Sequence, residues 1–197
     1  MNFTQYCPKC GEKLIYYGND KYCLNCSYKL SQVCHSCNDE QRELILDISF
    51  KSKGLAKALS NLCNYPFVKD GVSCESMESF IQSLRVKDPS LQKEICSKTG
   101  PFAYSIREVL PDWRINKTVY WQGIAINRLS PSYFEFMKSA FKCLYTSSAI
   151  FRCALAQSSQ LILIHSSGCN EISETLLTPS EYISLLQYLI KTYGLNR

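Results

Sequence analysis

The sequence predicts a mainly α fold with a few short strands, preceded by a small β ribbon. Three observations predict it. Six of the twelve cysteines crowd into residues 7–37. Met77, Phe80, Ile81 and Leu84 recur at i, i+3, i+4 and i+7, the period of a helix with one apolar face. Asp88-Pro89, Ser130-Pro131 and Thr178-Pro179 each place a capping residue before a proline suited to a first helical turn.

Composition sets the outer bounds. The 197 residues suffice for one domain of ordinary size and a small appendage. With 46% hydrophobic and 20% charged residues, the chain is neither disordered nor a charged tail. Eight glycines and seven prolines are too few for low-complexity sequence. A net charge of +5 suits an anionic partner such as phosphate or nucleic acid without requiring one. The longest uncharged stretch, Cys153 to Asn170, is interrupted by Gln157, Ser158, Ser159, Gln160, His165, Ser166 and Ser167, so it does not read as a membrane span. The start, Met1 to Cys10, lacks a basic region followed by an apolar one, which points to a cytoplasmic protein without a signal peptide. In that reducing compartment the cysteines read as metal ligands or buried thiols.

Residues 1–37 read as a zinc ribbon. Cys7-Pro-Lys-Cys10 and Cys23-Leu-Asn-Cys26 are two CxxC pairs with twelve residues between them. Each pair forms a knuckle, and two knuckles supply four thiolates in a tetrahedron. Between them Lys13 to Tyr17, the turn Gly18-Asn19-Asp20 and Lys21-Tyr22 read as a hairpin. A closed four-cysteine site is structural, and its metal supplies folding free energy that so small a unit lacks. The ribbon's role is open between contacting nucleic acid, contacting a partner protein and capping the larger domain. Cys34-His35-Ser36-Cys37 has no partner pair nearby and reads as two unliganded thiols, the alternative being half of a second site completed by distant residues or another chain. Cys63, Cys74, Cys96, Cys143, Cys153 and Cys169 are isolated and read mostly as small buried hydrophobes.

Residues 38–43 form a charged connector, and the larger domain occupies 44–197. Leu44 to Phe50 reads as a strand, and Lys51 to Gly71 as irregular, ending in an Asp70-Gly71 turn. Helices are expected over Ser76–Val86, from Asp88 through Ile95, and over Phe102–Leu110, where Pro111 stops the third. Asp112 to Asn127 is mixed, and a helix rich in β-branched residues is one reading. Further helices follow over Ser130–Leu144 and Ser148–Ala156. Leu161 to Ile164 is a buried strand or a helix end. Thr178-Pro179-Ser180-Glu181 is a capping box that opens a last helix, ending near Tyr193 with Gly194 as its cap. Walker, GxGxxG, HExxH and GxSxG motifs are absent, which argues against a P-loop hydrolase, a zincin and a serine hydrolase.

On the helix Ser76–Val86, Glu78 falls at the edge of the apolar face, in line with Gln82 and Arg85. Partial desolvation at such a margin raises a carboxyl pKa and lets the group carry a proton near neutral pH. Arg85, two turns on, is placed to hold an anionic group. An ordinary solvated stripe has the same pattern.

Leu59-Ser60-Asn61, Tyr65-Pro66-Phe67-Val68, Asp70-Gly71-Val72 and Met77-Glu78-Ser79-Phe80-Ile81-Gln82 with Arg85 resemble, in order, the motifs of the NADAR (YbiA-like) family. Leu110-Pro111-Asp112-Trp113-Arg114 falls in the right place after them. The resemblance covers about Leu44 to the C-terminus, and the block from Ser60 to Arg85 is its specific part. Ser79 stands where that family has histidine, and its C-terminal WGxG-type signatures are replaced by a Glu174-Thr175-Leu176-Leu177-Thr178 segment. The resemblance implies a mainly α domain that cleaves N-glycosidic bonds of ribosides. It favours removal of ADP-ribose from modified guanine in nucleic acid over action on a small phosphorylated riboside such as a riboflavin-pathway intermediate. A non-catalytic reader of ADP-ribose or nucleic acid is the reading from another class. Glu78 takes the place of the family's catalytic glutamate, and Trp113 that of its motif tryptophan.

N-glycoside cleavage needs an acid/base carboxylate and a second carboxylate near the anomeric carbon. Glu78 suits the first role, and Glu171 or Glu174 the second. Trp113, Trp121, Tyr65 and Phe67 are candidates to stack on the departing base. Lys69 and Arg85 are candidates for the phosphates, Ser60 and Asn61 for ribose hydroxyls, and Gln82 shares the helix face with Glu78. No redox cofactor is implied.

Overall fold

The computed structural model describes residues 45–195, together with the three strands 14–17, 20–23 and 29–31. The chain divides into two units, Met1–Glu43 and Leu44–Arg197. Among the described residues no helix is long and apolar enough to cross a membrane.

In the first unit, β1 (Leu14–Tyr17) pairs antiparallel with β2 (Asp20–Cys23), and β3 (Lys29–Ser31) pairs with the other edge of β2. Tyr17 pairs with Asp20, so the expected hairpin is present with a two-residue connection. Of the four zinc-ligand candidates, Cys23 ends β2, opposite Leu14. Cys7, Cys10 and Cys26, like Cys34 to Cys37, lie outside the described residues.

The second unit is mixed α/β and not mainly α. It begins with β4 (Ile45–Asp47), the short helix α1 (Gly54–Ala58) and the hairpin of β5 (Phe67–Lys69) with β6 (Val72–Cys74). Asp70 and Gly71 both have positive φ, 48° and 80°, as a tight hairpin connection requires. Three short helices follow: α2 (Met77–Ser83), α3 (Pro89–Cys96) and α4 (Gly100–Ser105). The helix expected over Phe102–Leu110 is split. Its first part belongs to α4, and a 3₁₀ turn covers Ile106–Glu108.

The stretch Asp112–Asn127 is the clearest correction. After a 3₁₀ turn at Trp113–Ile115 it forms a hairpin of β7 (Thr118–Trp121) and β8 (Ile124–Asn127). The connection Gln122-Gly123 again has φ of 48° and 80°. β-Branched and aromatic residues in β7 and isoleucines in β8, on either side of two positive-φ positions, favour a hairpin over a helix.

The rest packs the core. Here α5 (Pro131–Ser147), α6 (Ala149–Ser158) and α7 (Pro179–Thr192) follow, with β9 (Ile162–Ile164) between the last two. Strand β9 pairs parallel with β4, Ile45 opposite Ile162. Helix α5 buries Tyr133, Met137, Ala140, Phe141 and Leu144, and α7 buries Tyr182, Leu185, Leu186 and Leu189. Each fully buried side chain of Leu, Met or Phe size contributes about 1.5–3 kcal/mol. Helix α7 opens with the expected capping box: Thr178 Oγ accepts from the Glu181 amide, and Glu181 accepts from the Thr178 amide. It ends with Leu195 N–H on the Ile190 carbonyl and Gly194 N–H on that of Lys191, a Schellman closure.

Candidate active site

The site is built on α2, which packs against α3 and α4. Ser76 caps this helix. Its Oγ accepts from the Ser79 amide at 3.0 Å, and Ser79 Oγ accepts from the Ser76 amide at 3.1 Å. Ser79 Oγ then donates to the carbonyl of Ser76 or of Cys96. Ser79 is fully buried in this role. The residue after Glu78 is therefore part of a helix cap that also ties α2 to α3.

Glu78 follows in the first turn. Its amide donates to the Asn61 carbonyl at 3.0 Å, which fixes the Leu59–Asn61 segment against the start of α2. Tyr182 Oη, on α7, donates to the Leu59 carbonyl of the same segment. Gln82 Nε2 donates to Glu78 Oε1 at 2.9 Å. Burial pushes the Glu78 carboxyl pKa upward, while the Gln82 donor and the positive charge of Arg107 pull it down and leave a net rise. A carboxyl in this state holds its proton at higher pH than a free glutamate does, as a general acid needs.

The relay continues from Gln82. Arg85 Nη1 donates to Gln82 Oε1 at 3.4 Å. The same guanidinium donates to three backbone carbonyls, those of Arg107, Leu110 (3.2 Å) and Pro111 (3.0 Å). Arg85 thus clamps the segment 107–111 onto α2. With its donors committed in this way, it is poorly placed for the phosphate role expected from the sequence.

The other candidates divide into three groups. Phe67 and Trp121 are buried, with relative exposures of 2% and 5%. Both rings stand edge-on to Phe80, at 6.0 Å and 5.0 Å. They belong to the aromatic core and do not offer a face to a base. Lys69 is buried beside them, ion-paired to Asp70 at 2.6 Å and 5.3 Å from the Phe136 ring. Asp70 also accepts from Trp121 Nε1. This cluster locks the β5–β6 turn to β7 and holds Lys69, a phosphate candidate from the sequence, in a buried ion pair.

Ser60, Asn61 and Tyr65 are only partly buried, and the Asn61 carbonyl lies at the start of α2. Ser60 Oγ accepts from the Leu62 amide. Tyr65 packs against Phe151, and burial together with the neighbouring Cys63 pushes its phenol up to about 12.

Trp113 is buried under the Lys117 ammonium. The adjacent Arg114 forks onto Asp112 at 2.7 Å and 3.0 Å and reaches Glu174 at 3.6 Å. Glu171 instead accepts from the amide and hydroxyl of Ser173, closing its own turn. Of the two, Glu174 is the one linked through Arg114 to the Asp112 segment, whose charge acts on Arg85.

Sequence reasoning missed two residues here. Arg128 is 2% exposed and holds Glu181 in two hydrogen bonds, at 2.9 Å and 2.6 Å, while its Nε donates to the Thr175 carbonyl. It fixes the 174–178 segment. Arg107 lies near enough to Glu78 to act on its charge, with its guanidinium 3.9 Å from the Tyr104 ring centroid. Neither sits in a motif: Arg107 lies within the expected helix Phe102–Leu110 and Arg128 between two expected elements, and nothing in the sequence marks either one. Among the described residues no group of three or more His, Cys, Asp or Glu side chains is arranged to hold a metal ion. Two cavities of about 280 and 260 Å³ lie away from Glu78, around Leu163 and the start and middle of α7.

Comparison with known proteins defines the class first. The fold is that of the E. coli protein YbiA, whose NMR structure superposes with a TM-score of 0.51 at 14% identity, over 80% of this chain and 91% of that one. The particular family follows from sequence. Residues 53–191 match the model described as Bacteriophage protein GP30.3, and the chain belongs to that family. An uncharacterized 17.1 kDa protein of the Gp30–rIII intergenic region of enterobacteria phage T4 is 32% identical over 134 residues, covering 67% of this chain and 88% of the relative.

Proposed function

We propose that the 44–197 unit is an N-glycoside hydrolase that removes ADP-ribose from modified guanine bases of nucleic acid, with Glu78 as acid/base. One observation carries the reading: a partly buried carboxyl at the start of α2, held by Gln82 and with its pKa raised by burial. The motif block from Ser60 to Arg85 supports it, as does the shared YbiA fold. In the reaction the bond from the ribose C1′ to the base nitrogen breaks and its electron pair leaves with the base. Glu78 gives the base its proton. Water adds to the oxocarbenium-like C1′, and the proton it releases returns to Glu78. Glu174 is taken as the second carboxylate because Arg114 ties it toward the site, whereas Glu171 closes its own turn.

In the first unit, Cys7, Cys10, Cys23 and Cys26 are proposed to hold one structural zinc ion. The antiparallel pairing of β1 with β2 supports this, since in sequence the two cysteine pairs flank the open end of that hairpin. Zinc supplies folding free energy there and takes no part in the cleavage.

The test is to incubate the full chain with an oligonucleotide carrying ADP-ribosyl-guanine, beside Glu78→Gln, and to measure free ADP-ribose. Release by the wild type and a loss of at least about a hundredfold in the variant are expected. Equal release by both removes Glu78 from the chemistry. Binding without release by the wild type favours a reader. Neither binding nor release turns the reading to a small phosphorylated riboside.

A further inference from the structure

Arg107 and Arg114 both lie close enough to Arg85, which bonds Gln82, to act on its charge, and the three arginines differ in what their donors already do. Arg85 is spent on Gln82 and on the carbonyls of Arg107, Leu110 and Pro111. Arg114 is spent on both oxygens of Asp112 and on Glu174. Arg107 is different. Its Nη1 donates to the Tyr104 carbonyl at 3.0 Å, and its Nε lies 3.1 Å from Glu108. Among the described residues no hydrogen bond engages its Nη2. The Arg107 side chain is 37% exposed and that of Glu108 is 77% exposed. A surface pair of this kind contributes little stability and yields readily to a stronger anion.

Arg107 is also held in place. Its guanidinium lies over the half-exposed Tyr104 ring, and its own carbonyl is gripped by Arg85. The chain Glu78–Gln82–Arg85–Arg107 therefore joins the proposed acid to an arginine that is anchored, solvent-facing and short of partners. A planar guanidinium with a free edge is suited to a phosphate oxygen pair.

We propose that Arg107, stacked on Tyr104, binds the phosphate attached to the 5′ carbon of the substrate's ribose, the role that Arg85 is too committed to fill. The proposal rests on reading the Glu78 helix as the site of riboside cleavage. It names a chemistry shared by two sources, the diphosphate of an ADP-ribosyl adduct and the monophosphate of a small riboside. The remainder of the second unit is consistent with an anionic ligand: residues 44–197 carry 17 Lys and Arg against 12 Asp and Glu, the whole of the chain's excess.

The test titrates the full chain with ADP-ribose, ribose 5-phosphate and ribose by calorimetry, using wild type, Arg107→Gln, Arg107→Lys and Glu78→Gln. The wild type is expected to bind a phosphorylated ligand and not ribose. Arg107→Gln should weaken that binding roughly ten- to a hundredfold, and Arg107→Lys should recover part of it. Binding of ADP-ribose alone identifies the diphosphate as the ligand, and binding of both identifies the 5′-phosphate. Wild-type affinity in Arg107→Gln overturns the proposal, as does a wild type that binds none of the three or binds ribose equally well. Thermal melts confirm that the variants are folded. Glu78→Gln should retain phosphate-ligand binding. If Glu78→Gln also retains hydrolysis in the oligonucleotide assay while Arg107→Gln still loses binding, the acid assignment falls and the phosphate site stands.

Discussion

Replacing Arg128 by Met removes a deeply buried charge of the second unit while keeping much of its stem. The Arg128 side chain makes three hydrogen bonds in the folded state, two to Glu181 and one to the Thr175 carbonyl, and its guanidinium lies 4.6 Å from the Tyr133 ring centroid. Removing one partner of a buried ion pair costs about 3–5 kcal/mol, because the other charge remains without compensation. Glu181 retains 19% side-chain exposure and the Thr178 amide at 2.8 Å, which puts the cost at the lower end, about 3 kcal/mol. For a unit of this size that lowers Tm by roughly 6–12 °C. Urea unfolding followed by circular dichroism, on Arg128→Met, Glu181→Gln and the double variant, measures both the loss and the coupling. The double variant should be less destabilised than the sum of the singles by more than about 1 kcal/mol. A loss under about 1 kcal/mol for Arg128→Met, or additive singles, would refute the reasoning.

Three further expectations follow from other parts of the molecule. Because burial raises the Glu78 pKa, the native state holds this proton to higher pH than the unfolded chain does. The associated stability is complete below the unfolded carboxyl pKa and is lost as pH rises through the folded value, each tenfold difference in proton affinity being worth about 1.4 kcal/mol. The stability of Glu78→Gln relative to wild type should therefore increase with pH in urea titrations between about pH 4 and 8, and a flat or falling difference contradicts the assignment. A Cβ at Gly100 would lie 2.3 Å from the Leu62 carbonyl oxygen and 2.7 Å from its carbon. Gly100→Ala should cost about 1–3 kcal/mol and loosen the Leu59–Asn64 loop, seen as a lower urea midpoint and faster amide exchange at Glu78. Elemental analysis should find about one zinc per chain. Cys10→Ser should reduce that content, and removing the metal with a chelator should erase the β1–β2 hairpin signals in NMR spectra while leaving those of residues 45–195 in place.

Capping chemistry makes the helices legible. Asp88 and Thr178 each cap the helix expected of them, because a side-chain acceptor on an orphan amide is a local event that sequence records directly, whereas Ser130 opens α5 without a side-chain bond to its first turn. The β7–β8 hairpin is harder to read, since Gln122-Gly123 is a weaker turn signal than Asn-Gly and the flanking residues also suit a helix. Strand β5 and helix α1 are too short, at three and five residues, to show a period within the stretch that reads as irregular. At the site, Glu78 and Gln82 can be paired from their i, i+4 spacing alone. The other contacts depend on where distant segments land. Arg85 meets carbonyls 22 to 26 residues away, and Phe67, Lys69 and Trp121 are drawn inward by Phe80 and Phe136. An aromatic or a cation close to a motif in sequence carries no record of which way tertiary packing turns it.

The pairing of β4 with β9 has a consequence for how the chain is made. His165, just past β9, bonds the Ile48 carbonyl across a sequence separation of 117 residues, and Asp47 accepts from the amide and hydroxyl of Ser166. Parallel strands have no short connection, so this seam closes only after everything between them has been laid down. During synthesis β4 leaves the ribosome early and waits, its edge unpaired, until β9 emerges. Translation therefore delivers the Glu78 helix well before the strand that completes this pair, and a chain cut short before residue 162 would carry the proposed acid on a domain whose first strand has nothing to bind.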